Sequence, residues 1–275
     1  MKGDWAMPRF KLFAGTAMGA VLLAGGALAA DMPVYYEPEP IPAFGGWYLR
    51  GDVGVSFQQV DNLHNVAFND TTTFDSVTIL DTDFDPSWFL GLGVGYQIND
   101  IFRVDLTGEY RGKSEFKGLD IAVPAGAGTP YFNEYFSKKS EWLFLANGYW
   151  DIGTWERFTP FVGAGLGASY VKIHDLQDFN TLSPDGPSAT CPVGGNGCAV
   201  GDGQWNFAWA LYAGLAYSMS PNLVLEVGYR YLNLGDGQTK NMLGNDGSDP
   251  VPNNPMHFED ITSHDIKVGL RYLLD

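Results

Sequence analysis

The stretch WFLGLGVGYQINDIFRVDLTGEYRGK, residues 88–113, carries two alternations back to back. Trp88, Leu90, Leu92, Val94, Tyr96 and Ile98 recur at every second position, and after Asn99-Asp100 the pattern restarts with Phe102, Val104, Leu106 and Tyr110. A period of two sorts residues onto the two faces of a strand, and Asn-Asp is turn chemistry, so the stretch reads as an antiparallel hairpin. Its other face carries Gly91, Gly93 and Gly95 on one arm and Arg103, Asp105, Glu109, Arg111 and Lys113 on the next. A soluble sheet hides its apolar face and shows its polar one. Glycines that make room for long charged chains suit the reverse arrangement, a cylinder with charge inside and oil outside.

The same alternation recurs in residues 46–60, 139–152, 158–173, 204–219, 223–234 and 261–274, which gives eight strands. Three connections, Asn99-Asp100, Gly153 to Arg157 and Ser220-Pro221-Asn222, are short turns. The other four, near residues 61–85, 114–138, 174–203 and 235–260, run to twenty or more residues. The expected fold is therefore all-β: an eight-stranded antiparallel up-and-down transmembrane barrel with three short turns at one end and four long loops at the other. Residues 72–80, with Thr73, Phe74, Val77 and Ile79, leave ten strands as the alternative count.

Strand parity sends Arg50, Asp52, Arg103, Asp105, Glu109, Arg111, Lys113, Lys139, Glu141, Asp151, Glu226, Arg230, Asp265, Lys267 and Arg271 inward. Bases and acids are nearly balanced in that set, so the charges are expected to pair across a filled lumen. Outward, Trp88 and Tyr96, Phe102 and Tyr110, and Trp142 and Trp150 are each eight residues apart. Eight tilted residues span roughly 20 Å, close to the apolar band of such barrels. With Trp47, Tyr170, Trp205, Tyr217 and Tyr272 these form the expected aromatic girdles.

The whole chain of 275 residues has 35 Gly, 15% aromatic residues, 17% charged residues and a net charge of −16. Its glycines follow no Gly-X-Y period, its apolar content excludes disorder, and its acidity excludes nucleic acid as partner. Residues 1–30 read as a signal peptide: Lys2, Arg9 and Lys11 precede an apolar run that ends in small residues at Ala27-Leu28-Ala29-Ala30. Cleavage removes three bases and Asp4, taking the mature chain to −18. Residues 31–45, with Pro33, Pro38, Pro40 and Pro42, read as a periplasmic tether, and residues 46–275 as the barrel. The four long loops hold eighteen acids, among them Asp120 and Asp178, against Lys117, Lys138 and Lys240. The expectation is a nearly neutral barrel with an acidic outer rim that favours divalent cations or cationic partners.

Cys191 and Cys198 suit a disulfide in an exported chain, with free thiols or a metal pair as alternatives. Such a bridge adds roughly 2.5 kcal/mol of local loop order. His64, His174, His257 and His264 match no ligand spacing. The glycine runs at 91–95 and 163–167 open no helix, and Asp246-Gly247-Ser248-Asp249 lacks the bidentate Glu of a calcium loop. No cofactor or resident metal is expected, and no nucleophile or aspartate pair can be assigned at the rim.

YWDIGTWERFTPFVGAGLGASY (149–170) and HDIKVGLRYLLD (264–275) resemble the small eight-stranded outer-membrane proteins of alphaproteobacteria, the porin-family or surface-antigen barrels. The resemblance spans the mature chain. It implies a Gram-negative outer-membrane location after export, contact with membrane lipid and lipopolysaccharide, and handling by the barrel-insertion machinery. Such proteins usually end on an aromatic residue that the insertion machinery recognises; this chain ends Leu273-Leu274-Asp275, with Tyr272 the expected substitute. It further implies a non-enzymatic protein that contributes to envelope integrity and displays surface loops. A narrow cation-preferring pore, or an adhesin or ligand-binding surface protein meeting a host surface through its loops, are the alternatives.

Overall fold

The computed structural model describes residues 46–126, 128–181, 191, 195–244 and 253–274. The signal-peptide and tether segments and the Asp246–Asp249 fragment lie outside the described residues. Among the described residues twelve strands form: β1 (Gly46–Gln59), β2 (Asn62–His64), β3 (Phe74–Phe84), β4 (Ser87–Gln97), β5 (Phe102–Pro124), β6 (Tyr131–Asp151), β7 (Phe158–Ile173), β8 (Leu176–Asn180), β9 (Gly197–Ala199), β10 (Asp202–Ser218), β11 (Leu223–Asn241) and β12 (Pro255–Leu273). The sole helical element among the described residues is a 3-10 turn at Val66–Asn69.

The pairings close on themselves. β1 pairs with β4, β4 with β5, β5 with β6, β6 with β7, β7 with β10, β10 with β11, β11 with β12, and β12 with β1, all antiparallel. The circuit leaves none of these eight staves without a neighbour on either side, which removes the open edges that a sheet otherwise exposes. The remaining four strands sit outside the circuit: β2 pairs with the start of β12, β3 with the far half of β5, β8 with the first residues of β6, and β9 with β8. The short connections fall at the end of the circuit where Leu274 N–H donates to Trp47 O. There the Asn99 side chain accepts from the amides of Ile101 and Phe102, holding the β4–β5 turn.

The count thus differs from the eight strands expected, and so do the lengths. Residues 114–138, read as a loop, are mostly strand, because β5 and β6 run for 23 and 21 residues. β3 takes up residues 74–84 but adds no stave to the circuit: it lies on β5 above the point where β4 ends.

One finding corrects the parity reading. Arg111 faces Glu141, but the next pair is Ser114 with Lys139, so β5 carries one extra residue at Gly112-Lys113. A bulge of this kind turns the chain by one position. Below it Arg103, Asp105, Glu109 and Arg111 point inward; above it Ser114, Phe116 and Asp120 do, and Lys113 is exposed on the outside instead of buried within. The β11–β12 ladder slips at the same height, around Gly235 and Asp260, both with positive φ.

Candidate functional site

The lumen is built by the inward residues of all eight staves. Among the described residues Arg50, Arg103, Arg111, Lys139, Arg230, Lys267 and Arg271 stand against Asp52, Asp105, Glu109, Glu141, Asp151, Glu226 and Asp265, seven bases to seven acids once Lys113 has left. None of the fourteen is more than 6% exposed. Nearest the short turns, Arg103 lies 3.2 Å from both Asp151 and Glu226, its guanidinium 4.1 Å above the Tyr149 ring and 4.8 Å from that of Phe161. Arg271 reaches Glu226 at 3.2 Å and donates to Gln97 at 2.7 Å. In the middle, Arg50 spans Asp52 (2.9 Å), Asp105 (2.7 Å) and Glu226 (3.2 Å), and Lys267 approaches Asp52 at 3.4 Å. Tyr48 and Asn147 both donate to Asp105. In the next layer Arg111 and Arg230 share Glu109 and Asp265 at 2.7–2.9 Å, and Lys139 pairs with Glu141.

A channel as wide as a water molecule would leave its lining exposed. This lining is not, so the arrangement is a filled plug held by charge-assisted bonds. Glycine supplies the space: a Cβ on Gly95 would run into the Tyr48 ring, on Gly93 into Arg50 and Thr107, on Gly165 into Asn147, and on Gly269 into Asp52.

The outer face is the reverse. Leu92 is 69% and Leu106 63% exposed, within a continuous band that also includes Val53, Val104, Leu166, Phe207, Leu211 and Val268. Two aromatic belts bound it. Trp88, Tyr110 and Trp142 touch in series at 5.8 and 4.9 Å, with Tyr170 opposite Trp142 and 5.2 Å from Trp205. Toward the short turns lie Trp47 against Tyr96 (5.4 Å), Phe102 opposite Trp150, Phe158 against Tyr217 (4.9 Å), and Tyr272 opposite Leu49.

Above the bulges the interior becomes apolar. Phe84, Phe116 and Phe258 form a cluster with ring centroids 4.9–6.4 Å apart, joined by Ile173, Leu176 and Met256. Lys139 Nζ, at the top of the ionic plug, lies 4.7 Å from the Phe84 ring. Not every loop acid reaches the rim. Asp120 is fully buried, accepting from Tyr135 (2.6 Å) and Asn133 (2.9 Å). Burial, and secondarily the Asp120 charge, push the Asp178 carboxyl up to about 7. β8 and β9 form a flap on the end of β6, and Cys198 of β9 is disulfide-bonded to Cys191.

The four histidines do not converge: His64 stacks on His257, His264 meets Tyr229 at 2.6 Å, and His174 Nε2 lies 3.1 Å from Ser140 Oγ. Among the described residues Ser140 and His174 form the one Ser–His contact. The nearby Asp175 carboxylate accepts the Gly201 amide at 3.0 Å. Sequence reasoning missed what surrounds this pair, a group of lysines brought together from three strands. In the sequence Lys113 was assigned to the wrong face, and Lys117 and Lys138 were placed in a loop.

The description "Outer membrane protein beta-barrel domain" matches residues 19–272. An uncharacterized protein of Brucella suis biovar 1 is 32% identical over 284 residues, covering 92% of this chain and 95% of its own length. A putative adhesin of Rickettsia bellii is 27% identical over 230 residues, covering 82% and 87% respectively. Among solved structures, the outer membrane protein OprG from Pseudomonas aeruginosa matches with a TM-score of 0.47 at 16% identity, over 84% of this chain and 97% of that one. With apolar flanks outside, paired charges inside and a family match along nearly its whole length, the chain belongs to the outer-membrane β-barrel protein family of the Gram-negative envelope.

Proposed function

We infer that this protein is a closed, non-enzymatic barrel that crosses the outer membrane on its eight circuit strands. The short turns then face the periplasm, and the extended ends of β5, β6, β11 and β12 stand outside as a turret. Its work is structural and presentational: it stiffens the envelope and holds an ordered, acidic surface away from the lipid. The observation that carries this reading is the neutral, solvent-excluded plug of seven bases and seven acids. A solute path would require several of these ion pairs to separate at once, each leaving an uncompensated charge. Reconstituted in planar bilayers, the full-length protein is expected to give no stable conductance; reproducible channels would overturn the reading in favour of a narrow pore.

The turret favours a second reading, adhesion, to which the Rickettsia bellii relative called a putative adhesin lends support. Trimming the β5–β6 extension is expected to abolish any attachment of intact cells to a host or matrix surface, while lumen substitutions leave it unchanged.

A further inference from the structure

Thirteen basic residues lie in residues 46–274, and seven of them are inside the lumen. The six outside are Lys113, Lys117, Lys138, Arg157, Lys172 and Lys240, and four of these gather on the adjoining outer faces of β5, β6 and β7. The ladder explains how. The β5 bulge sets Lys113 level with Ser140 on β6, and Ser140 pairs on its other side with Lys172 of β7. Lys113 and Lys172 therefore flank one position from neighbouring strands, about 9.6 Å apart at the backbone over two strand spacings. Each lysine carries a flexible four-carbon stem, so the two ammonium groups can close on a single phosphate from either side of β6. A cleft of about 370 Å³ opens on the Lys113 side, lined by Lys113, Lys117, Lys138, His174 and the exposed ring of Phe136 and also by the carboxylates Glu115 and Asp175, with Lys172 just outside it.

Two of the lysines are already partnered, Lys138 with Glu115 at 3.0 Å and Lys117 with Asp85 at 3.4 Å. Lys113 and Lys172 are exposed and have no ion pair among the described residues. The His174 imidazole is held below its usual range by burial first and then by the positive charges of Lys113, Lys172 and Lys138, which outweigh the opposing Asp175 carboxylate. Height completes the argument. Lys113 is three residues beyond Tyr110, Lys172 two beyond Tyr170 and Lys138 four before Trp142, so the lysines sit roughly 5–10 Å above the belt. That is the headgroup layer, which adds roughly 5–8 Å to each side of the hydrocarbon core.

We propose that Lys113 and Lys172, with Lys138 beside them, bind a phosphate group of an outer-leaflet glycolipid whose acyl chains lie along the Trp142 and Tyr170 face below. The site rests on the orientation proposed above. It makes the collar at the lipid surface cationic on one side of a protein that is otherwise acidic outside.

The test uses the full-length protein in detergent micelles, with bound lipid counted by native mass spectrometry. Phosphorylated lipid A is expected to bind at least about tenfold more tightly than dephosphorylated lipid A. The double variant Lys113→Gln, Lys172→Gln is expected to lose about 30-fold in affinity, at about fivefold per lysine near an anionic lipid surface. Lys113→Arg with Lys172→Arg is expected to retain binding, and Lys240→Gln to leave it unchanged. Equal affinity for the two lipids, or an equal loss in Lys240→Gln, would overturn the site. Displacement of the lipid by millimolar inorganic phosphate would assign the cluster to free phosphate and overturn the lipid reading; no displacement supports it. Failure of the orientation reads differently: Lys113→Cys on intact cells would then resist a membrane-impermeant maleimide, whereas a labelled but phosphate-indifferent protein fails at the site alone.

Discussion

The lower circuit and the turret above it are built from the same strands and organised in opposite senses. In the circuit, Arg50, Arg111 and Asp265 are inside and Leu92, Leu106 and Phe207 outside; in the turret, Phe84, Phe116 and Phe258 are inside and Glu115, Lys117 and Lys138 outside. The change of solvent accounts for the inversion. Where lipid surrounds the strands, the polar groups must find each other within, and where water surrounds them the ordinary hydrophobic arrangement returns. The crossover is narrow. It falls at the bulges on β5 and at Gly235 and Asp260, each of which rotates the chain by one position just above the Trp88–Tyr110–Trp142 belt.

That contrast can be broken from either side. The largest effect is expected from Arg50→Ala, which leaves the buried Asp105 without its cation and removes one partner each from Asp52 and Glu226, and should cost about 3–5 kcal/mol in urea-induced unfolding from vesicles. Leu92→Arg or Val104→Arg, on the lipid face, should cost about 2–4 kcal/mol near midplane in the same assay. If both fold as well as wild type, the outward assignment fails. Phe116→Ala should act on the turret alone, raising its susceptibility to protease while the heat-resistant migration of the barrel on gels stays unchanged.

A subtler effect concerns pH. The Asp178 carboxyl, enclosed with Asp120 of β5 and with Tyr131 and Tyr135 of β6, titrates at about 7 when folded and near 4 when unfolded. The folded flap binds the extra proton between these values. Its stability therefore falls as pH rises from about 4 to about 7 and stays low above that. Amide exchange in residues 176–180, corrected for the intrinsic rate, should be faster at about pH 8 than at about pH 5, and Asp178→Asn should flatten the difference. The smallest effect is expected from Cys191→Ser with Cys198→Ser, which should loosen this loop and leave barrel heat resistance unaltered.

Period two made the circuit legible because its staves keep strict parity across the lipid band, and the ionic set followed from parity alone. The turret was not legible for the same reason. Phe116 and Phe258 sit beyond bulges, where their parity no longer matches the strand below, so their segments read as loops. Lys113 failed by one residue at the bulge itself. The lysine collar was hidden by a different cause: its members are spread over sixty residues of sequence and meet only because three strands pair in one register.

The glycines that line the plug bear on how the barrel assembles. Sliding one stave past its neighbour by two residues would keep every apolar side chain facing lipid, so the membrane cannot reject that error. The interior can. Tyr48 is received by Gly95, Arg50 by Gly93 and Asp52 by Gly269, and a two-residue slip would set bulk against bulk on one side and leave a void on the other. Large-to-small complementarity across the lumen is thus the gauge that fixes alignment, and a chain threaded wrongly would be recognised by its own misfit before it met any partner.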